Sequence, residues 1–152
     1  MTERDTYDYI VVGAGSAGAA VASRLTEDIS ISVLLLEAGP SNDAMEVSMP
    51  AAFPGLFKTK WDWNYETTPQ PGLDGQRALW PRMKALGGCS SMNAMMYVRG
   101  AKADFDGWKR DFGAVGWSYD DVLPYFVKAE GNTRLAGRFH GTDGPLHVED
   151  RR

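Results

Sequence analysis

An α/β fold with a parallel sheet is predicted by three features near the start of the chain. Tyr9 to Val12 is a short run rich in β-branched residues, the pattern of a buried strand. Ser16 to Thr26 then reads as a helix, with Ala17, Val21 and Leu25 four apart on one face. Val33 to Leu36 is a second continuous apolar run, read as a second buried strand parallel to the first. Strand, helix and strand in that order make a βαβ unit.

The turn between the first strand and the helix carries Gly13, Gly15 and Gly18 in G-x-G-x-x-G spacing. Gly13 permits the tight turn, Gly15 lets a pyrophosphate approach the backbone, and Gly18 lets helix and strand pack closely. The N–H groups near Ser16 and Ala17 carry the positive end of the helix dipole, which suits a diphosphate. Glu37 ends the second strand, about twenty residues after the last glycine, where an acid that binds ribose hydroxyls belongs. Its charge would repel a 2′-phosphate, which argues against NADP. These elements together predict a Rossmann-like domain that binds a dinucleotide. The bland alternative is a glycine-rich βαβ turn with no ligand.

The bulk numbers fit that picture. The 152 residues suffice for one domain with a core, and 43% hydrophobic with 24% charged residues is ordinary for a soluble globular chain. A net charge of −4 gives no reason to expect nucleic acid or an anionic membrane as partner. Cys89 is the single cysteine, so no internal disulfide forms and the cytoplasm is the default compartment. The polar N-terminus, Met1 to Thr6, is unlike a signal peptide, and no apolar run reaches membrane-spanning length.

After Gly39-Pro40 the pattern dissolves. Ser41 to Thr68 reads as a long irregular excursion with at most short helical turns around Ala51 to Phe57. Its aromatics, Phe53, Phe57, Trp61, Trp63 and Tyr65, are expected mostly to anchor it on the domain, and Trp61 to Tyr65 suits a strand. Pro69 to Gly75 is turn-rich.

Met83 to Gly100 is the second informative stretch. Gly87-Gly88 lets backbone approach a flat ligand, and Cys89, Ser90 and Ser91 suit the cap of a helix that follows. A plain glycine turn with an N-cap explains the same residues equally well. Met92, Met95 and Met96 stand at i, i+3 and i+4, a trio expected to fill core. Ala103 to Phe112 predicts a short helix closed by Gly113. Ser118 with Asp121 resembles a capping box for a further helix running to about Glu130, although Pro124 favours a start at Asp120 or Asp121. Val122, Leu123, Phe126 and Ala129 are its expected buried face. Gly131 to Gly144 reads as loop, and Leu146 to Val148 as a strand entering a new sheet.

With these motifs in order, the chain resembles the N-terminal part of the GMC (glucose–methanol–choline) oxidoreductases, near the choline dehydrogenase-like members. The likeness rests on Asp8 to Gly18, Leu35 to Gly39, Asp62 to Tyr65, Leu86 to Met95, Tyr97 to Gly100, Gly116 to Phe126 and His140 to Leu146. It implies FAD, an oxidoreductase acting on a CH–OH group of a small alcohol, and hydride transfer to the flavin. It implies an α/β, Rossmann-like FAD-binding domain, the N-terminal and incomplete part of a two-domain fold. On that reading residues 1–144 belong to the FAD domain, with a flavin-covering excursion over 41–82, and residues 145–152 hold the first strand of a substrate domain.

By position, the resemblance assigns Ser16 and Ala17 to the pyrophosphate and Glu37 to the adenosine ribose, with Gly13, Gly15, Gly18 and Ala38 as further cofactor-binding positions. It assigns Ala85, Leu86, Gly87, Cys89 and Ser90 to contacts around the glycine pair. Asn93, Ala94, Met95 and Met96 would lie along the flavin. Some relatives attach the flavin to a histidine just before that asparagine. Met92 stands there, which implies non-covalent FAD. Met83 and Cys89 depart from the commoner residues of the family signature without removing a group that FAD chemistry needs.

The family's catalytic histidine and its partner fall beyond this chain, so no catalytic residue is assigned here. His140, in a turn, and His147, in a strand, are read as structural, and no histidine partner is identifiable for Cys89. Two other readings stand beside this one. The chain is a non-catalytic remnant, or one piece of a split enzyme that needs a complementary chain. Less well supported is an NAD-dependent dehydrogenase, against which the Leu86 to Asn93 stretch speaks. Substrate, electron acceptor and oligomeric state are not readable from the sequence.

Overall fold

The computed structural model describes residues 6–150; the polar run Met1–Asp5 and the terminal Arg151 and Arg152 lie outside it. The chain divides into two compact units, one up to Met96 and one from Tyr97.

The first unit begins with the βαβ element. Strand β1 (Tyr9–Val12), helix α1 (Ser16–Leu25) and strand β2 (Val33–Leu36) follow in order, and β1 pairs parallel with β2, Tyr9 opposite Val33 and Val12 opposite Leu36. A polar clasp fixes that register at its start. Asp8 accepts from the Ser32 N–H at 2.8 Å and from the Ser32 hydroxyl at 2.6 Å. The helix ends one residue before the expected Thr26, whose hydroxyl donates back to the Ala22 carbonyl at 3.0 Å.

The strands are not buried as their composition suggests. Ile10 is 62% and Val12 81% exposed, and Val21 on the helix face is half exposed. Only two strands form this sheet among the described residues, so α1 covers part of the apolar surface and nothing covers the rest. Doubly covered parallel strands earn their hydrophobicity from layers on both faces, and those layers are not present here.

The core lies elsewhere. Leu56, Trp61, Met83, Ala85 and Met92 form it, with Ala44, Val47, Phe57 and Cys89 packed against it. The excursion therefore folds onto the glycine-pair stretch. It contains helix α2 (Met45–Ser48), an additional turn that precedes the expected one, and a 3₁₀ segment at Pro50–Leu56. Trp61 is buried, but Trp63 and Tyr65 stay partly exposed and stack on one another, so the anchoring into the core is carried by Trp61 with Phe57. The expected strand at Trp61–Tyr65 shrinks to β3 (Tyr65–Glu66), paired antiparallel with β4 (Leu79–Trp80), plus an isolated bridge of Asp62 to Met83. Asn64, at φ +54°, breaks the run between them.

Two expectations in the second stretch are corrected. No α-helix follows Cys89, Ser90 and Ser91. They lie inside a single 3₁₀ turn, Gly88–Ser91, and the next helix starts at Lys102. Nor do the three methionines share a core face. Met92 is buried, while Met95 is 54% and Met96 77% exposed. The chain leaves helical geometry at Met92, and Met95 sits at φ +55°, so a spacing of three and four no longer aligns side chains.

The second unit carries α3 (Lys102–Phe112), ended by Gly113 in the left-handed region, and α4 (Tyr119–Ala129). Ser118 caps α4. Its N–H and hydroxyl both meet the Asp121 carboxylate, which holds that carboxyl below its usual range, and Pro124 is accommodated inside the helix instead of setting its start. Phe105 and Leu123 are buried, whereas Ala129 of the expected face is exposed. The chain then enters β5 (Glu130–Asn132), a strand in place of the expected loop start, which pairs parallel with β6 (Leu146–Val148).

Glu130 has no exposed surface and needs partners. Arg99 ion-pairs with it, Asn132 Nδ2 donates to it at 2.8 Å, and His140 Nδ1 lies 3.0 Å away. Burial pushes its carboxyl up, and the bonds from Asn132 and His140 with the Arg99 charge outweigh that, leaving it below the usual carboxylate range. Among the described residues no helix is long and apolar enough to cross a membrane.

Candidate functional site

The glycine turn and the glycine pair meet. Gly87 N–H donates to the Ala14 carbonyl at 2.9 Å, and the Ser16 and Ser90 hydroxyls hydrogen-bond to each other. Gly88 packs on Gly15 so closely that a Cβ on Gly88 would stand 2.7 Å from Gly15 Cα. A Cβ on Gly18 would overlap the Gly13 carbonyl oxygen, which is why α1 can begin so close to β1. Two stretches some seventy residues apart thus form one backbone surface.

That surface borders a cavity of about 770 Å³, within the size range of small-molecule and cofactor sites. From the βαβ element it is lined by Gly13, Gly15, Ser16, Ala17 and Gly18, and at the end of β2 by Glu37 and Ala38. Gly88 and Cys89 line it from the second stretch. Gly15 is the N-cap of α1 and no side chain caps that helix. Its leading N–H groups have no intrahelical acceptor and give that end of the cavity a positive potential.

Glu37 does more than face the cavity. Its Oε2 accepts from Ala14 N–H and its Oε1 from Gly39 N–H, each at 2.9 Å. The carboxylate therefore ties the glycine turn to the end of β2, and each oxygen retains a lone pair for a further donor.

The other proposed contact residues lie outside the lining. Ala85 is wholly buried in the core. Leu86, Gly87 and Ser90 are one step removed, Ser90 through its bond to Ser16. Asn93, Ala94, Met95 and Met96 continue beyond it, with the Asn93 side-chain oxygen accepting from Met95 N–H at 2.8 Å. Conversely, Trp63, Arg82 and Met83 line the cavity without having been picked out as ligand contacts. Trp63 N–H donates to the Arg82 carbonyl at 2.9 Å and Lys84 N–H to the Trp61 carbonyl at 2.8 Å. This short antiparallel clip sets one wall. Nothing in the spacing of residues 61–63 and 82–84 announces the pairing.

Asp62 holds the clip from inside. It is 4% exposed and accepts from the N–H groups of Lys58 at 3.0 Å, Asn64 at 3.1 Å and Arg82 at 2.9 Å. Burial raises its carboxyl, and the three backbone donors more than offset this, so it stays ionised below the ordinary range.

Comparison with known proteins agrees with this geometry. Residues 7–152 match the GMC oxidoreductase family in its N-terminal part. Mitochondrial choline dehydrogenase of Mus musculus is 49% identical over 153 residues, covering 95% of this chain and 26% of that protein. The oxygen-dependent choline dehydrogenase of Paraburkholderia phytofirmans is 50% identical over 146 residues, covering 93% and 26%. Among solved structures, pyridoxine 4-oxidase from Mesorbium loti superposes with a TM-score of 0.86 at 39% identity, over 93% of this chain and 28% of that one. A formate oxidase superposes with a TM-score of 0.84 at 33% identity, over 98% and 27%. The chain spans about a quarter of the length of these relatives. A Rossmann-like glycine turn closed against a second glycine stretch, on a sequence matched almost from end to end, makes this chain a member of the GMC oxidoreductase family, its N-terminal FAD-binding part.

Proposed function

We propose that this chain is the FAD-binding segment of an enzyme that oxidises a CH–OH group of a small alcohol by hydride transfer to non-covalent FAD. The observation that carries the reading is the contact of Gly15 with Gly88, which sets the uncapped α1 N-terminus and the glycine pair on one cavity. The residues present fit the group: a backbone surface without side chains, an unsatisfied helix N-terminus and a carboxylate with lone pairs to spare.

When bound, FAD supplies the electron acceptor, and the protein binds and orients it. Gly15, Ser16 and Ala17 would present N–H groups to the diphosphate, and Glu37 would accept the ribose hydroxyls while repelling a 2′-phosphate. Ala38 and Cys89 would add contacts at the two ends of the cavity surface. Ala85, Leu86, Gly87 and Ser90 would shape the glycine pair beneath the ligand. Asn93 to Met96 would run along the flavin, partly through backbone N–H groups. Met92 supports a non-covalent attachment, because a buried thioether offers no histidyl nitrogen.

The catalytic histidine and the substrate-binding surface would come from sequence beyond these 152 residues, in the same polypeptide or a complementary chain. The uncovered apolar faces of Ile10 and Val12 support further layers over β1 and β2. The pairing of β6 with β5, in a sheet separate from β1 and β2, supports a second sheet that Leu146–Val148 shares with Glu130–Asn132, and a substrate domain starting at Leu146–Val148 would begin on that sheet. Relatives that are choline dehydrogenases support an alcohol substrate.

The test is an absorbance spectrum of the purified full-length protein, before and after acid precipitation. Flavin bands that move wholly into the supernatant are expected. A protein that holds no flavin, or one whose flavin stays with the pellet, overturns the cofactor or the non-covalent part respectively.

A further inference from the structure

Among the described residues, Arg82 is the only cationic one that lines the cavity, and Glu37 the only anionic one. They are not each other's partners. Both Glu37 oxygens take backbone N–H groups, and among the described residues Arg82 makes no ion pair with any carboxylate. Its guanidinium instead donates to the Pro81 carbonyl at 2.6 Å and lies over the Trp80 ring, Cζ 4.8 Å from the centroid. An arginine stacked on an indole keeps in-plane N–H donors for an anion. The backbone that carries it is fixed on both sides. Its N–H donates to buried Asp62 and its carbonyl accepts from Trp63, itself on the cavity wall. An unneutralised guanidinium, held on a ring and carried by a residue that lines a cavity, is matched to phosphate oxygens.

We propose that Arg82 is the side-chain cation that meets the diphosphate of the bound dinucleotide, complementing the backbone donors of the glycine turn. The inference rests on the flavin reading of this cavity. Glu37 would select the ribose hydroxyls and Arg82 the phosphates, so two residues forty-five positions apart would divide the recognition of one ligand.

The experiment is calorimetric titration of ADP and of adenosine into flavin-free full-length protein. Arg82→Gln is expected to weaken ADP about tenfold to a hundredfold, as loss of a charge-assisted bond does, and to leave adenosine within about twofold on the same account. Arg82→Lys is expected to recover most of the ADP affinity. In the wild type, added salt is expected to weaken ADP and spare adenosine. Equal ADP affinity in wild type and Arg82→Gln overturns the inference, and so does equal loss of ADP and adenosine, which marks a packing role. Should Arg82→Gln fail to fold, a wild-type ADP affinity indifferent to salt overturns it. A wild type that binds neither FAD nor ADP removes the flavin reading itself, whereas one that binds both equally well with and without Arg82 removes only this inference.

Discussion

Gly88 rests against Gly15, with no room for a side chain on Gly88: a Cβ there would come within 2.7 Å of Gly15 Cα. Gly88 also stands at φ +52°, a conformation unfavourable for a residue with a Cβ. This contact helps join the βαβ turn to the stretch that follows the excursion, and both glycines line the cavity.

Gly88→Ala is therefore expected to destabilise the protein by about 1–3 kcal/mol, the usual range for overpacking a close contact. Flavin retention after desalting is expected to fall in parallel, because the added methyl pushes the two backbones apart. Thermal melts and flavin-to-protein ratios check both; an unchanged melt with full flavin content would contradict the close approach.

Glu37→Ala removes the acceptor for Ala14 and Gly39 N–H as well as the proposed ribose acceptor. A part-buried donor left unpaired costs about 1–3 kcal/mol. The loss of stability is thus expected even in flavin-free protein, where a residue serving the ligand alone would show none. Chemical denaturation of the flavin-free form separates the two.

Asp62 and Glu130 both have carboxyls held below the ordinary range in the folded chain. A depressed folded pKa adds stability that is present above the unfolded pKa, about 4, and is lost as pH falls through the folded value. The wild type is expected to lose stability progressively below about pH 4. Asp62→Ala is expected to be less stable at neutral pH and to show a shallower acid slope. Denaturation midpoints between neutral and acid pH measure both, and parallel slopes would refute the role given to Asp62.

Arg99→Leu leaves Glu130 buried without its strongest cationic partner. Breaking a buried pair from one side costs about 3–5 kcal/mol, so this variant is expected to be among the most damaging outside the cavity. Arg99 also lies over Phe126, Cζ 5.2 Å from the ring, and donates to the Phe139 carbonyl at 2.6 Å, which adds lost packing to lost charge. Hydrogen exchange of residues 130–132 and 146–148 is the direct measurement, with accelerated exchange expected in both strands.

The sequence alone determined the elements whose signals are local. The bounds of β1 and β2 follow from continuous apolar runs and α1 from its glycine turn and periodicity, through forces acting within a few residues, whereas the sequence left the start of α4 between Ser118 and Asp120 or Asp121 and the structure set it at Ser118. Spacing likewise placed Gly13 to Gly18 and Glu37 on one cavity. Tertiary structure decided what depends on partners distant in the chain. It put the core on Trp61, Met83 and Met92 instead of on the sheet, exposed Met95 and Met96, and turned the capping serines into a 3₁₀ turn. It also brought Trp63 and Arg82 to the cavity, through hydrogen bonds between strands some twenty residues apart. Burial and cross-strand pairing are sums over the whole fold. A residue's own neighbours in sequence carry no record of them, whereas caps, turns and periodic faces are written where they act.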